Sequence, residues 1–93
     1  MPYFALFYEV VDDYVERRAP LRQDHLKLAA DAHARGELLM GGAFAEPADR
    51  VLIVFRSEDR GVAESFARSD PYVTKGLVKR WEVRPWTVVI GNI

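Results

Sequence analysis

Cysteine is absent from this chain, and with it go disulfide staples, thiolate nucleophiles and thiolate metal ligands. Histidine is scarce. His25 and His33 stand about 80° apart around an α-helix, which fits neither a chelating pair nor an H-E-x-x-H motif. The expectation is no metal, and no haem or other cofactor, because the chain offers no ligand set for one. Charge of one sign is missing too. Thirteen basic against fourteen acidic side chains give a formal net charge of −1, so there is no electrostatic footprint for nucleic acid or an anionic membrane. No long hydrophobic run occurs either. The apolar opening, Met1 to Tyr8, lacks a basic leader and stops at Glu9, too short for a signal peptide or a spanning helix. These absences predict a cytoplasmic protein with neither nucleic-acid nor membrane partners.

What is present is a short chain that reads as one domain over residues 1–93. A domain of this size buries only roughly 60–70% of the surface its unfolded chain exposes, so its core is marginal. With disulfides and metals excluded, self-association is the remaining remedy.

Tyr3 to Val10 reads as a strand in which Phe4, Leu6, Tyr8 and Val10 line one face, while Tyr3, Ala5 and Phe7 make the other almost as apolar. Asp12 to Ala19 is a charged connection, and Pro20 suits the first turn of a helix. Leu21, Leu28, Ala29 and Ala32 recur at helical spacing, and Arg35 followed by Gly36 supplies the stop. Glu37 to Phe44 is a second strand carrying Gly41 and Gly42, and Ala45 to Arg50 a turn. Val51 to Phe55 is a third strand, apolar on both faces. Ser57 is the expected N-cap of a second helix, whose inner stripe is Val62, Ala63, Phe66 and Ala67. Leu77 to Val83 alternates as a strand with one wet face, and Thr87 to Ile90 is a final extended apolar segment.

The order βαββαβ predicts an α+β, ferredoxin-like fold with a four-stranded antiparallel sheet, its first and third strands central. Two helices cover one sheet face only, so a second copy is the expected cover for the other. The prediction is a face-to-face homodimer, with further assembly of dimers left open. Trp81 and Trp86 read as interface mass, and Val88 to Ile90 as a segment crossing to the partner.

His25 and Asp70 stand where a purely structural sequence would not put them. His25 lies on the stripe of Leu21, Leu28 and Ala29, either as a histidine bonded to a backbone carbonyl or as a functional group. Asp70 follows Phe66 by one turn, on the inner register of the second helix. With Pro71 after it, Asp70 also reads as an N-cap, and a cap uses only one of two carboxylate oxygens. Both helices lie on the same sheet face, so the two residues can be neighbours. An aspartate bonded to one imidazole nitrogen fixes the tautomer and leaves the other nitrogen free to exchange a proton with a ligand. No serine or cysteine is placed to complete a triad.

At these residues the chain resembles the YciI-like (YCII-related) family of dimeric α+β barrel proteins. Arg18-x-x-x-Arg22-x-x-His25-Leu26 is similar to that family's first-helix signature, and Leu38-Leu39-x-x-Gly42 to its second strand. Asp70-Pro71-Tyr72-Val73-x-x-Gly76 is similar to its most recognisable motif, and Val83-x-Pro85-Trp86 to its last strand. The resemblance implies a ferredoxin-like protomer pairing sheet to sheet and a His/Asp active site that maps onto His25 and Asp70. One departure stands out: Gly42-Ala43 occupies the place where the family commonly carries Gly-Pro.

Further candidates surround that pair. Arg22 precedes His25 by one helical turn and reads equally as an anion anchor and as a solvated arginine paired with Asp24 or Glu16. For Arg18 the solvated reading is the stronger. Gly42 lets a backbone amide approach a ligand or marks a bulge. Tyr72 offers a hydroxyl, though core or interface packing is its commoner use. The function expected is a small cofactor-free enzyme moving protons on a small organic acid or phenol, by isomerisation or elimination. Its site would be His25 and Asp70 with Arg22, Gly42, Tyr72 and Arg18 around the ligand. The alternative is a non-catalytic dimeric module that binds a small molecule.

Overall fold

A computed structural model describes residues 2–92. Its elements are β1 (Tyr3–Val10), the single-turn helix α1 (Tyr14–Arg17), a 3₁₀ turn (Ala19–Leu21), α2 (Arg22–Ala34), β2 (Leu38–Ala43), β3 (Arg50–Arg56), α3 (Gly61–Ser69), the short α4 (Pro71–Thr74) and β4 (Val78–Trp86). The strands form one sheet in the order β2-β3-β1-β4, and every neighbouring pair is antiparallel. The two strands with apolar residues on both faces are thus the central ones, as the α+β reading of the sequence requires.

Alternation along the strands divides the sheet into two faces. Phe4, Leu6, Tyr8 and Val10 of β1, with Val51, Ile53 and Phe55 of β3, point to the helices and form the core. Ala63, Phe66 and Ala67 of α3 close it from above, Phe66 meeting Phe55 edge-on with ring centroids 5.4 Å apart. Full burial of one such aromatic stabilises the fold by about 1.5–3 kcal/mol. Of α2 only Ala32 is fully buried. Leu21, Leu28 and Ala29 are half-buried at the core's edge. The thin footing of α2 leaves room beneath its first turns.

Several local details differ from the sequence reading. The charged connection contains α1, and its Tyr14 is buried against the core. Ser57 does not cap α3, which starts at Gly61. The Ser57 hydroxyl donates to the carbonyl of Asp59 at 2.6 Å, and Asp59 Oδ1 takes the Gly61 N–H at 2.8 Å. The last strand runs on to Trp86 through Pro85, which an edge strand tolerates because one side of it makes no ladder. Thr87 to Ile90 adds no strand, and Val89 and Ile90 are both 89% exposed. Trp81 pairs with Tyr8 on the helix-facing row, where the Arg68 guanidinium lies 5.8 Å over its ring, so it is not on the open sheet face. Trp86 is on that face. As expected, Gly36 stops α2: its φ of +80° admits a Schellman turn, with Glu37 N–H bonded to the Ala32 carbonyl at 3.1 Å and Gly36 N–H to that of His33 at 2.9 Å. Among the described residues no helix is long and apolar enough to cross a membrane.

Candidate functional site

Asp70 is the residue on which the site is built. It ends α3 and begins α4, with extended backbone at φ −71° and ψ 123°, so its side chain turns under the helices instead of out to solvent. Oδ1 accepts the Tyr72 N–H at 3.0 Å, capping α4, and Pro71 occupies the first helical position where no N–H is needed. The carboxylate is fully buried. A buried charge is stable only when its lone pairs are satisfied, and two further donors reach this one. The Tyr8 hydroxyl donates to Oδ2 at 2.7 Å, and His25 Nδ1 lies 2.9 Å from Oδ1 and 3.0 Å from Oδ2.

An ionised carboxylate only accepts, so His25 Nδ1 carries the hydrogen in this pair. Nε2 is left without a partner among the described residues. The imidazole is held face-on as well: the Tyr72 ring stacks on it with centroids 3.9 Å apart and planes 9° from parallel. Tyr14 in turn meets Tyr72 edge-on at 5.6 Å, and the Arg18 guanidinium lies 5.1 Å over Tyr14. His25 is thus fixed in tautomer by Asp70 and in plane by Tyr72, while 13% of its side chain stays exposed.

The exposed part of His25 opens on a cavity of about 200 Å³ between α2 and β2. Arg18, Arg22 and His25 bring charge and polarity to its lining, Tyr14 and Tyr72 stand beside them, and Leu26, Ala29, Val51 and Ile53 are among its apolar walls. No aspartate or glutamate lines it, because Asp70 is sealed behind His25. Neither Arg18 nor Arg22 makes an ion pair with a carboxylate of the described residues, so the alternative of pairing with Asp24 or Glu16 is not realised. A larger depression of about 470 Å³ lies between α2 and α3, away from this pair, and its one arginine, Arg35, is tied to Glu37 at 2.9 Å. Among the described residues no three His, Asp or Glu side chains converge on a point that would hold a metal ion.

The sequence-predicted residues therefore gather at one place: Arg18, Arg22, His25, Tyr72 and Gly42 line the cavity, and Asp70 lies beneath it. Gly42 lines the cavity but does not mark a bulge. The β-bulge falls between Leu38 and Met40, and a Cβ on Gly42 would meet nothing within 4 Å. The glycine in close contact is Gly41, where a Cβ would stand 3.3 Å from the Ile53 side chain. Sequence reasoning missed Tyr8 and Tyr14. For Tyr8 a signal existed, since a hydroxyl on an otherwise apolar, helix-facing row needs a buried acceptor.

Burial sets the titration of both tyrosines. Tyr8 is pushed far above its ordinary value of 10.0, first by burial and then by the Asp70 carboxylate it faces. Tyr72 is raised by burial and by Tyr14, with Arg22 and Arg18 pulling the other way. Both are neutral donors at physiological pH.

A sheet with helices on one face, an imidazole–carboxylate pair beneath them and a cavity that the imidazole borders defines a ferredoxin-like α+β protein with a small-molecule-sized pocket. The chain belongs to the YCII-related domain family, whose sequence profile matches residues 1–87. No curated protein matches it. Among solved structures it is similar to the 5-chloro-2-hydroxyhydroquinone dehydrochlorinase of Burkholderia phenoliruptrix in complex with 2,5-dihydroxybenzoquinone, at 17% identity and a TM-score of 0.76, over 91% of this chain and 93% of that one. It is similar also to a NIPSNAP family protein of Agrobacterium tumefaciens, at 13% identity and a TM-score of 0.62 over 95% and 92% of the two chains. An antibiotic biosynthesis monooxygenase shares the fold at 12% identity and a TM-score of 0.58, over 97% of this chain and 100% of that one.

Proposed function

We propose that this protein is a small enzyme that moves protons on a small organic acid or phenol, needing no cofactor. His25 Nε2 is the general acid/base, Asp70 orients the imidazole, and Arg22 anchors an anionic group of the ligand. The observation that carries this reading is the His25 Nδ1–Asp70 contact of 2.9 Å beneath a cavity that the ring borders. As the other nitrogen takes a proton, the buried carboxylate stabilises the imidazolium that forms. A positioned acid/base of this kind contributes about 10²–10⁴-fold in rate. The Burkholderia dehydrochlorinase, alike in fold, is named for an elimination from a hydroxyhydroquinone. That likeness favours elimination or isomerisation on a phenolic ring as the reaction class.

A second copy is the proposed cover of the open sheet face. Phe7 and Leu52 are half-buried there, beside Trp86 at 45% and Met40 at 57% exposure, a cluster that an isolated subunit leaves in water.

The test is a thermal-shift screen of small acids and phenols on the wild type and on His25→Ala, followed by turnover and solvent-deuterium exchange of the compounds that bind. Compounds that stabilise the wild type alone, and exchange protons only in its presence, are expected. Binding without exchange or turnover would make the protein a ligand-binding module. Equal binding to both proteins would remove His25 from the site.

A further inference from the structure

Among the described residues the Tyr72 hydroxyl is the one buried side-chain polar group that makes no hydrogen bond of good geometry; the Arg22 guanidinium stands toward it as a donor, so the O–H itself has no acceptor. The residue is 1% exposed, and its ring contacts to His25 and Tyr14 would serve a phenylalanine equally well. Packing therefore explains the ring and not the oxygen. Burying a hydroxyl without a partner is unfavourable, and native proteins keep few such groups. This one belongs to a side chain that lines the cavity, together with Arg18 and Arg22 and with no carboxylate beside them.

We propose that Tyr72 is a specificity-determining residue whose hydroxyl donates a hydrogen bond to an oxyanion conjugated with a planar ligand, a phenolate or an enolate, held beside Arg22. The assignment rests on the cavity being the ligand site, and it narrows the ligand class from any small acid to those that bind as, or pass through, such an oxyanion. When His25 Nε2 takes a proton from the ligand, the electron pair of the broken bond stays on the ligand as oxyanion charge. A neutral phenol donor strengthens its bond as that charge grows, and a guanidinium adds to it. The groups around the hydroxyl keep it protonated for this use: burial and Tyr14 outweigh Arg22, which acts through its charge and as a hydrogen-bond donor, and Arg18. Asp70 cannot compete for the hydroxyl's proton, because its oxygens are engaged by Tyr8, His25 and the Tyr72 backbone N–H.

The probes are para-nitrophenol, whose absorption distinguishes phenol from phenolate, and nitrobenzene, which has the ring without the oxygen. The wild type is expected to bind the phenolate form and to lower the pH at which the bound probe ionises. Tyr72→Phe is expected to weaken phenolate binding about tenfold, shifting that ionisation up by about one pH unit, with nitrobenzene affinity unchanged. Bound probe that stays neutral in the wild type, or phenolate affinity unaltered in Tyr72→Phe, overturns the assignment while leaving the cavity as the ligand site. If neither probe moves the His25 ring resonances, the ligand-site reading itself has failed and Tyr72 loses its role with it.

Discussion

Tyr8 and Asp70, 62 residues apart in sequence, meet through a 2.7 Å hydrogen bond at the base of the site. The contact joins the central strand to the corner between α3 and α4. The sheet itself therefore holds the carboxylate that holds the histidine.

Removing that hydroxyl leaves Asp70 with two kinds of donor instead of three. Tyr8→Phe is expected to lower stability at neutral pH by about 1–3 kcal/mol, the usual cost of depriving a buried acceptor of its partner. Urea unfolding at pH 7 measures it. A variant as stable as the wild type would show that the bond contributes nothing net.

The same residue sets an alkaline limit. A hydroxyl whose folded value is raised above 10.0 contributes stability that is complete below pH 10 and is lost as pH rises beyond it. The loss per such group is roughly 1.4 kcal/mol per pH unit. Melting curves from pH 8 to about pH 11 should be flat at first and then fall, and Tyr8→Phe should flatten the fall. An identical slope in the variant would assign the alkaline loss to other groups.

Asp70→Asn keeps the volume and replaces an acceptor-only group with one that can also donate. The wild-type imidazole should hold its hydrogen on Nδ1 when neutral, and the variant should populate both tautomers. Nitrogen-15 spectra of the His25 ring read this directly. One unchanged tautomer in both proteins would show that the ring is held by the Tyr72 stack alone.

The neighbouring glycines of β2 should respond differently. Gly42→Ala meets open space and is expected to alter stability by less than about 0.5 kcal/mol. Gly41→Ala presses on the buried Ile53 and is expected to cost on the order of 1 kcal/mol while narrowing the cavity. Equal effects in a pair of melting curves would contradict the strand's facing.

Self-association can be checked by light scattering. The wild type is expected to be a dimer at micromolar concentration, and Phe7→Glu, on the open face, a folded monomer. A wild-type monomer would leave that face without its proposed cover.

How legible this was depends on which signal each residue carries. His25 and Asp70 were readable because each breaks a strong pattern, one an apolar stripe and the other a helix end followed by proline. Tyr8 fits both an apolar row and a polar role, so alternation alone could not expose its bond. Tyr14 lies in a single-turn helix, too short for any period to show. The contrast between Gly41 and Gly42 has a definite cause. The bulge at Leu39 inserts one residue, and one residue reverses the facing of everything after it. Likewise, Ser57 and Asp59 are both good turn-formers, and only the backbone path decides which oxygen meets the Gly61 N–H.

Because Asp70 both caps α4 and steers the imidazole, these two duties are inherited together. A change that retunes the carboxylate also disturbs the short helix that presents Tyr72, so the chemistry at this corner resists gradual adjustment. The cavity's outer lining is under less constraint, since Arg22 and Leu26 are exposed and neither belongs to the core. New substrates are more easily acquired there, by altering the entrance while the proton-handling pair stays as it is.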